Sequence, residues 1–383
     1  MQKPDCYDVS GGSGKVLKLK KAIYGLKQAS RAWNKKVDQS LLENGYCKSK
    51  LEPCMYTKMN GKFKTIVTLY VDDFFIFSNC KLETENLKNV LSSQFKIKDL
   101  GRVKPCLGMN IKFNKLEKSV TLSQESYINN LLQKFNMTDC KTVDTPMETK
   151  LNVECDKNVN NQVPYQQLIG SLMYLSVLTR PDITFAVSYL SQFNNCHTDE
   201  HWAYAKRILK YLKKTINFGI KYCADGNTKI KGFVDSDWAN DSVDRRSYTG
   251  FCFVLANGII SWECKKQRTV ALSSCEAEYM AISEACKEAI YLKALQFEIT
   301  NNMYTLTLFN DNQSAQRLST NPVFHKKTKH IDVKHHFTRE CVSNRVVKLM
   351  YLPTANMPAD LLTKSLCSKK HYNFMDLLGI VPV

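Results

Sequence analysis

Four carboxylates in the last part of the chain, Asp235, Glu278, Asp311 and Asp360, each fall at the end of a separate predicted element or inside one. Hydropathy places Asp235 at the close of a strand, Glu278 within a long helix, Asp311 at the end of a later strand and Asp360 at the opening of a last helix. Adjacent strand ends and helix starts can gather such a set. Gathered carboxylates repel one another unless a divalent cation neutralises them, which points to Mg²⁺, with Mn²⁺ as a substitute, on hard oxygen ligands. Two such ions about 4 Å apart can activate water and stabilise a leaving oxygen, the chemistry of phosphodiester hydrolysis. The chain has 36 Asp and Glu in all, so spacing alone leaves the choice of four open.

A second acidic pair, Asp72 and Asp73, interrupts the run KFKTIVTLYVDDFFIF at residues 62–77. The β-branched and aromatic residues on both sides predict two strands, with the pair at the tip of a tight turn.

The elements that must position these groups follow from periodicity. After the turn Ala224-Asp225-Gly226-Asn227, strands over 229–235, 248–255 and 257–264 form a meander, and a helix runs from Ser274 to about Ile299. A strand at 304–310, helices after Asn312 and over 331–344, a strand at 346–352 and a helix from Pro358 complete the series β-β-β-α-β-α-α-β-α. Upstream, helical spacing covers Gln28 to Asn44 and Leu82 to Phe95, and Val120 to Leu122 reads as a short strand. Helices are predicted over Leu168–Leu178, Ile183–Phe193 and His201–Thr215. On the last of these Trp202, Ala205, Ile208, Leu209 and Leu212 share one face. Lys206, Arg207, Lys210, Lys213 and Lys214 share the other, as a solvated face or as a phosphate-binding one.

Composition narrows the function classes. With 383 residues the chain holds two or three domains, and 54 Lys and Arg against 36 Asp and Glu give +18, which favours a polyanion such as nucleic acid as partner. A membrane is excluded as partner, because no run reaches the roughly 18 apolar residues a spanning helix needs. The 15 cysteines are scattered without a Cys-x-x-Cys pair, which reads as reduced thiols in an intracellular protein. The N-terminus has no apolar signal core, so secretion is not expected. Gly11-Gly12-Ser13-Gly14-Lys15 has the look of a phosphate loop, but Val16 stands where Ser or Thr should be, and a flexible leader is the better reading.

Six ordered segments add a resemblance: Phe233-Val234-Asp235-Ser236-Asp237-Trp238, Asp244 to Phe251, Ala271 to Tyr279, Asn310 to Ala315, Thr328 to Asp332 and Ala359 to Lys364. Together they resemble the ribonuclease H domain of copia-class retrotransposon Pol polyproteins. The resemblance implies a βββαβαβα fold, a catalytic and metal-binding tetrad of Asp235, Glu278, Asp311 and Asp360, two Mg²⁺ ions, and RNA/DNA hybrid as substrate. Glu276 lies about 200° around a helix from Glu278, and the motif favours Glu278, leaving Glu276 exposed. Asp237 is the reserve for Asp235. The segment Tyr351 to Asn356 lacks the His common in other ribonucleases H. The run His325 to His330, with Lys326, Lys327, Lys329 and His330, reads as a hybrid-binding surface rather than a zinc cluster, since no Cys partners it.

The first half resembles the palm of the copia-class reverse transcriptase, through Lys20 to Trp33 around Gly25, Tyr70-Val71-Asp72-Asp73, Leu100-Gly101 and Leu107-Gly108-Met109. Ser30 replaces the usual Pro. By this resemblance Asp72 and Asp73 bind metal and the Gly25 loop lies beside the nucleotide. The strand bearing a further Asp, and the fingers, are not found, so polymerase activity is expected to be lost by truncation. The expected organisation is an α/β and α+β multidomain chain: partial palm over 1–115, helical thumb or connection over 116–225, and ribonuclease H-like domain over 226–383. The resemblance also implies association with other Pol chains and a cytoplasmic or nuclear place. An inactive or co-opted nucleic-acid-binding relic is the alternative.

Overall fold

The computed structural model describes residues 18–149, 162–239, 244–320 and 329–383. The Gly11–Lys15 leader, His325, Lys326 and Lys327 lie outside the described residues. The chain divides into two compact units, one of 1–101 with 295–301, the other of 102–294 with 302–383.

The first unit contains α1 (Ala29–Glu43), β1 (Cys47–Lys48), β2 (Met55–Asn60), β3 (Phe63–Tyr70), β4 (Asp73–Ser78) and α2 (Lys81–Gln94). Its antiparallel sheet runs in the order β1-β2-β3-β4. Val37 and Leu41 lie one helical turn apart on α1 and are buried with Tyr56, Val67, Leu87 and Leu91. Strand β3 alternates as a half-buried strand must, turning Thr65, Val67 and Leu69 inward. The hairpin leaves Val71 and Asp72 between its strands, with Tyr70 opposite Asp73. Val71 sits at φ 54, a region unfavourable for a β-branched residue. Trp33 Nε1 donates to its carbonyl at 2.9 Å, and the Trp33 ring packs edge-on against Phe74 and Phe95.

The second unit opens with β5 (Pro105–Cys106), β6 (Met109–Asn114), β7 (Ser119–Ser123) and α3 (Glu125–Lys134). Helices α4 (Tyr165–Leu178), α5 (Thr184–Ser191) and α6 (Asp199–Lys214) follow, then β8 (Phe218–Cys223). The remainder is β9 (Lys231–Asp237), β10 (Tyr248–Leu255), β11 (Gly258–Lys266), α7 (Ser274–Thr300), β12 (Leu306–Asn310), α8 (Gln313–Thr320), α9 (Lys329–Ser343), β13 (Val347–Tyr351), α10 (Ser368–Leu377) and β14 (Ile380–Pro382). The last turns of α7 group with the first unit.

Two sheets organise this unit. One has the order β11-β10-β9-β12-β13, with β11, β10 and β9 antiparallel and β9, β12 and β13 parallel. This is the ribonuclease H-like arrangement that the motifs imply. The other has the order β14-β8-β7-β6-β5, so the C-terminal strand closes a sheet begun before residue 125. Strand β8 was not expected. Its Gly219 allows close pairing, since a Cβ there would stand 2.4 Å from the Leu122 carbonyl oxygen.

The C-terminal helix is also fixed by a buried polar network. Arg180 is fully buried and grips Asp182 through Nε at 2.9 Å and Nη2 at 2.7 Å. The Tyr211 hydroxyl donates to Asp182 at 2.7 Å and lies 3.0 Å from Nε2 of His371 on α10. Burial pushes His371 down to about 4, so the ring is neutral at physiological pH. Removing one partner of such a buried pair strands the other charge and costs about 3–5 kcal/mol.

The expectation of reduced thiols needs one correction: Cys196 is disulfide-bonded. Sequence spacing does not reveal which side chains meet at bonding distance. Among the described residues no helix is long and apolar enough to cross a membrane.

Candidate metal centre

Strands β9 and β12 run parallel with Phe233 opposite Phe309, so Asp235, still within β9, and Asp311, just past the end of β12, come side by side two residues further on. Helix α7 brings Glu278 to them. Carboxylate oxygens of Asp235, Glu278 and Asp311 lie within 4.8 Å of one another. Asp235 and Glu278 are buried and Asp311 is half-buried. Three acidic oxygens in one pocket, with no nitrogen or sulfur donor among them, fit a hard divalent cation.

Each carboxylate of the triangle is tied to a fixed donor. The Ser236 amide donates to Glu278 Oε1 at 3.1 Å and Asn310 Nδ2 to Glu278 Oε2 at 2.8 Å. Asn310 is itself oriented, because its Oδ1 accepts the Asn312 amide at 2.9 Å. The Thr354 hydroxyl reaches Asp311 at 2.5 Å, and that of Thr363 donates to Asp235. Burial pushes the Glu278 carboxyl well above the usual carboxylate range, Asp235 and Asp311 push it further, and its two hydrogen bonds oppose the rise. A group in that state ionises readily only when a cation joins it.

Asp360 departs from expectation in its local structure. It lies in a 3₁₀ turn, Pro358–Leu362, and the last α-helix starts only at Ser368. The turn packs against β10 where Gly250 has no side chain, and a Cβ there would come within 2.6 Å of Thr363 Cγ2 and 2.9 Å of Leu362 Cβ. Asp360 is fully buried and stands outside the oxygen triangle. Lys364 Nζ lies 3.0 Å from its Oδ1 and 3.4 Å from Asp235 Oδ2, while Lys370 Nζ lies 2.5 Å from its Oδ2. Burial raises Asp360 to about 6, Asp235 adds to the rise, and the two lysines oppose it.

The remaining predicted residues fall elsewhere. Glu276, expected to be exposed, is buried: its Oε2 accepts the Leu272 amide at 3.0 Å while Ser273 Oγ accepts the Glu276 amide at 3.2 Å. This is a capping-box type of helix start, whose Ser-x-x-Glu signal was present in the sequence. Asp237 is not part of the oxygen triangle. In the first unit Asp72 and Asp73 are exposed at the β3–β4 tip, and Gly25 is exposed at φ 93 before α1. Lys329 and His330 begin α9.

The basic face of α6 is largely occupied from within the chain. Arg207 pairs with Glu148 at 2.8 Å, Lys213 donates to the Cys140 carbonyl at 2.9 Å and Lys214 pairs with Asp144. Lys206 lies over the Trp202 ring, and Lys210 is half-buried. Acidic residues at 144 and 148 lie too far away in sequence for helical periodicity to show this pairing. Sequence reasoning also missed Asn310, Thr363, Lys364 and Gly250, although each stands inside a quoted motif, three of them within four residues of a predicted ligand.

Comparison with known proteins agrees with the motifs. A family described as reverse transcriptase (RNA-dependent DNA polymerase) matches residues 1–149. The retrovirus-related Pol polyprotein from transposon TNT 1-94 of Nicotiana tabacum is 40% identical, covering 99% of this chain and 29% of its own length. That from transposon RE1 of Arabidopsis thaliana is 37% identical, covering 96% of this chain and 25% of its own length. The chain therefore spans little more than a quarter of the length of these curated relatives. The crystal structure of RNase H1 from Halobacterium salinarum is 17% identical and aligns with 35% of this chain and 94% of its own, with a TM-score of 0.27.

Proposed function

This chain belongs to the family of copia-type retrotransposon Pol polyproteins, and from that premise we propose that its 226–383 region is a ribonuclease H that cleaves RNA in RNA/DNA hybrids. The observation that carries the proposal is the triangle of Asp235, Glu278 and Asp311 oxygens, each tied to a separate donor. We assign Asp235, Glu278, Asp311 and Asp360 as the catalytic set, 116–225 as a connection packed with the nuclease, and 1–115 as the palm portion.

When bound, divalent ions would lower the pKa of an attacking water and stabilise the leaving oxygen. The chain's own residues do the rest. Asp235, Glu278 and Asp311 would hold the ions; Ser236 and Asn310 fix both oxygens of Glu278, so its orientation is set before any ligand arrives. Thr363 and Thr354 do the same for Asp235 and Asp311. Such preorganisation avoids rearrangement at the moment of reaction. In the palm portion Asp72 and Asp73 would be the corresponding ligands. We assign hydrolysis to the 226–383 region.

The competing reading is an inactive nucleic-acid binder that relies on its charge of +18. Engagement of Arg207, Lys213 and Lys214 by the 140–148 segment weakens that reading. The deciding experiment incubates the purified chain with end-labelled RNA/DNA hybrid and Mg²⁺ beside its Asp311→Asn variant. RNA cleavage by the parent alone supports the nuclease. Hybrid binding without cleavage by either folded protein would favour the binder.

A further inference from the structure

The segments that carry the metal triangle are tied together by a residue that touches none of its carboxylates. Gln267, the first residue after β11, is buried, and its backbone amide donates to the Ser247 carbonyl at 2.8 Å. Its side-chain nitrogen donates to the Ala277 carbonyl at 3.0 Å, to Thr249 Oγ1 at 3.0 Å and to Ser236 Oγ at 3.3 Å. Ser236 follows Asp235 and Ala277 precedes Glu278, so one NH₂ group bridges the two segments that present these ligands. Thr249 stands opposite Ser236 in the β9–β10 ladder, which brings the neighbouring strand into the same tie. Ser236 in turn gives its amide to Glu278 Oε1 at 3.1 Å.

Chemistry fixes which way this side chain points. A backbone carbonyl only accepts, so the nitrogen and not the oxygen must face Ala277. Gln267 Oε1 is then left buried with no hydrogen-bond partner among the described residues. A bare buried acceptor is unfavourable and calls for a reason. Fold stability does not supply one: the Ala277 carbonyl lies inside α7, where the amide four residues on already satisfies it. A methionine of similar length would fill the space without a bare oxygen. It could not hold oxygens from β9, β10 and α7 at hydrogen-bond distance. We propose that Gln267 is a positioning residue that fixes the separation of Asp235 and Glu278, and so sets the affinity of the triangle for its cation. The inference rests on the nuclease reading and deepens it, by naming what keeps two ligands from distant parts of the chain in register.

The test is Mn²⁺ titration of the full chain, with free Mn²⁺ read from its aqueous electron paramagnetic resonance signal, beside urea unfolding in EDTA. Gln267→Met should weaken Mn²⁺ binding about tenfold or more, the loss that removal of a supporting partner commonly brings, without lowering the urea midpoint. An amide that only stabilises the fold would do the reverse, lowering the midpoint and leaving the Mn²⁺ affinity of the folded chain unchanged, and that result would overturn the inference. Ser236→Ala removes the hydroxyl but keeps the amide that Glu278 accepts. It should weaken Mn²⁺ binding less than Gln267→Met does and add nothing to it in the double variant; additive losses would also overturn the inference. If Gln267→Met does not fold, Ser236→Ala decides alone, and an unchanged Mn²⁺ affinity would count against the tie. Hybrid cleavage by the parent judges the nuclease reading separately. Cleavage by a parent whose folded Met variant binds Mn²⁺ equally well would leave the nuclease standing and remove the role of Gln267. A folded parent that binds no Mn²⁺ and cuts no hybrid would sink both.

Discussion

The chain has two acidic centres built on opposite principles. Asp72 and Asp73 are neighbours in sequence, so proximity comes without any folding, yet both are exposed on a tight turn. Asp235, Glu278 and Asp311 come from a strand, a helix and the residue just past a second strand; Glu278 is held by donors 42 and 32 residues away. Adjacent acids are thus easy to place and hard to hold. Distant acids must be placed by a whole domain, and the same packing that gathers them also removes water and supplies their hydrogen bonds. A desolvated set of carboxylates is unfavourable until a cation arrives, which makes the second centre the better metal site.

Mutation of the two centres should give opposite results. Asp235→Asn should reduce hybrid cleavage to background, whereas Asp72→Asn should leave the cleavage rate unchanged. Equal losses would break the distinction between the centres. A smaller effect tests the holding residues: Asn310→Ala removes a partner of Glu278 without touching a proposed ligand. Loss of such a supporting partner commonly lowers metal affinity or activity about 10–100-fold. The Mg²⁺ concentration for half-maximal cleavage should rise by that factor, and an unchanged value would mean that Asn310 only fills space.

Smaller again is the effect of crowding the Asp360 turn. Gly250→Ala puts a methyl within 2.6 Å of Thr363 Cγ2 and 2.9 Å of Leu362 Cβ. Overpacking of this kind costs about 1–3 kcal/mol, visible as a lower urea midpoint. An unshifted midpoint would show that the turn can move away freely.

What was legible in the sequence follows the same division between local and distant. The β3–β4 hairpin, the β9–β11 meander and helix α7 all carry strong short-range periodicity, and their predicted positions lie within about two residues of those observed at most ends. Strand β8 escaped because Phe218–Cys223 mixes Gly and Lys into a short run just after a helix, and β14 is only three residues long. Their pairing depends on partners about a hundred or more residues away. The ligand set was legible through motif resemblance rather than spacing. Lys364 was quoted in a motif but not interpreted, because its meaning depends on Asp235, which is remote in sequence. Glu276 shows the reverse case: the local Ser273-x-x-Glu276 signal was available and outweighed by the choice between two nearby acids.

A last effect concerns pH and separates Asp360 from the triangle. Asp360 titrates at about 6 in the folded chain, against about 3.9 for an unfolded Asp. Between those values the folded chain keeps a proton that the unfolded chain has released, so stability falls as pH rises from about 4 to about 6 and is flat above, as far as this group is concerned. Burial raises Glu278 in the same direction, and it adds to the decline. Saturating Mg²⁺ should cancel the Glu278 part, because an ion in the triangle favours its charged form. It should leave the Asp360 part, because Lys364 and Lys370 already occupy that carboxylate. Melting temperatures of the parent and Asp360→Asn, taken from pH 4 to 7 with EDTA or with Mg²⁺, test this directly. The parent's excess slope between pH 4 and 6 should survive Mg²⁺; its disappearance would mean that Asp360 joins the first ion and that the four carboxylates act as one set.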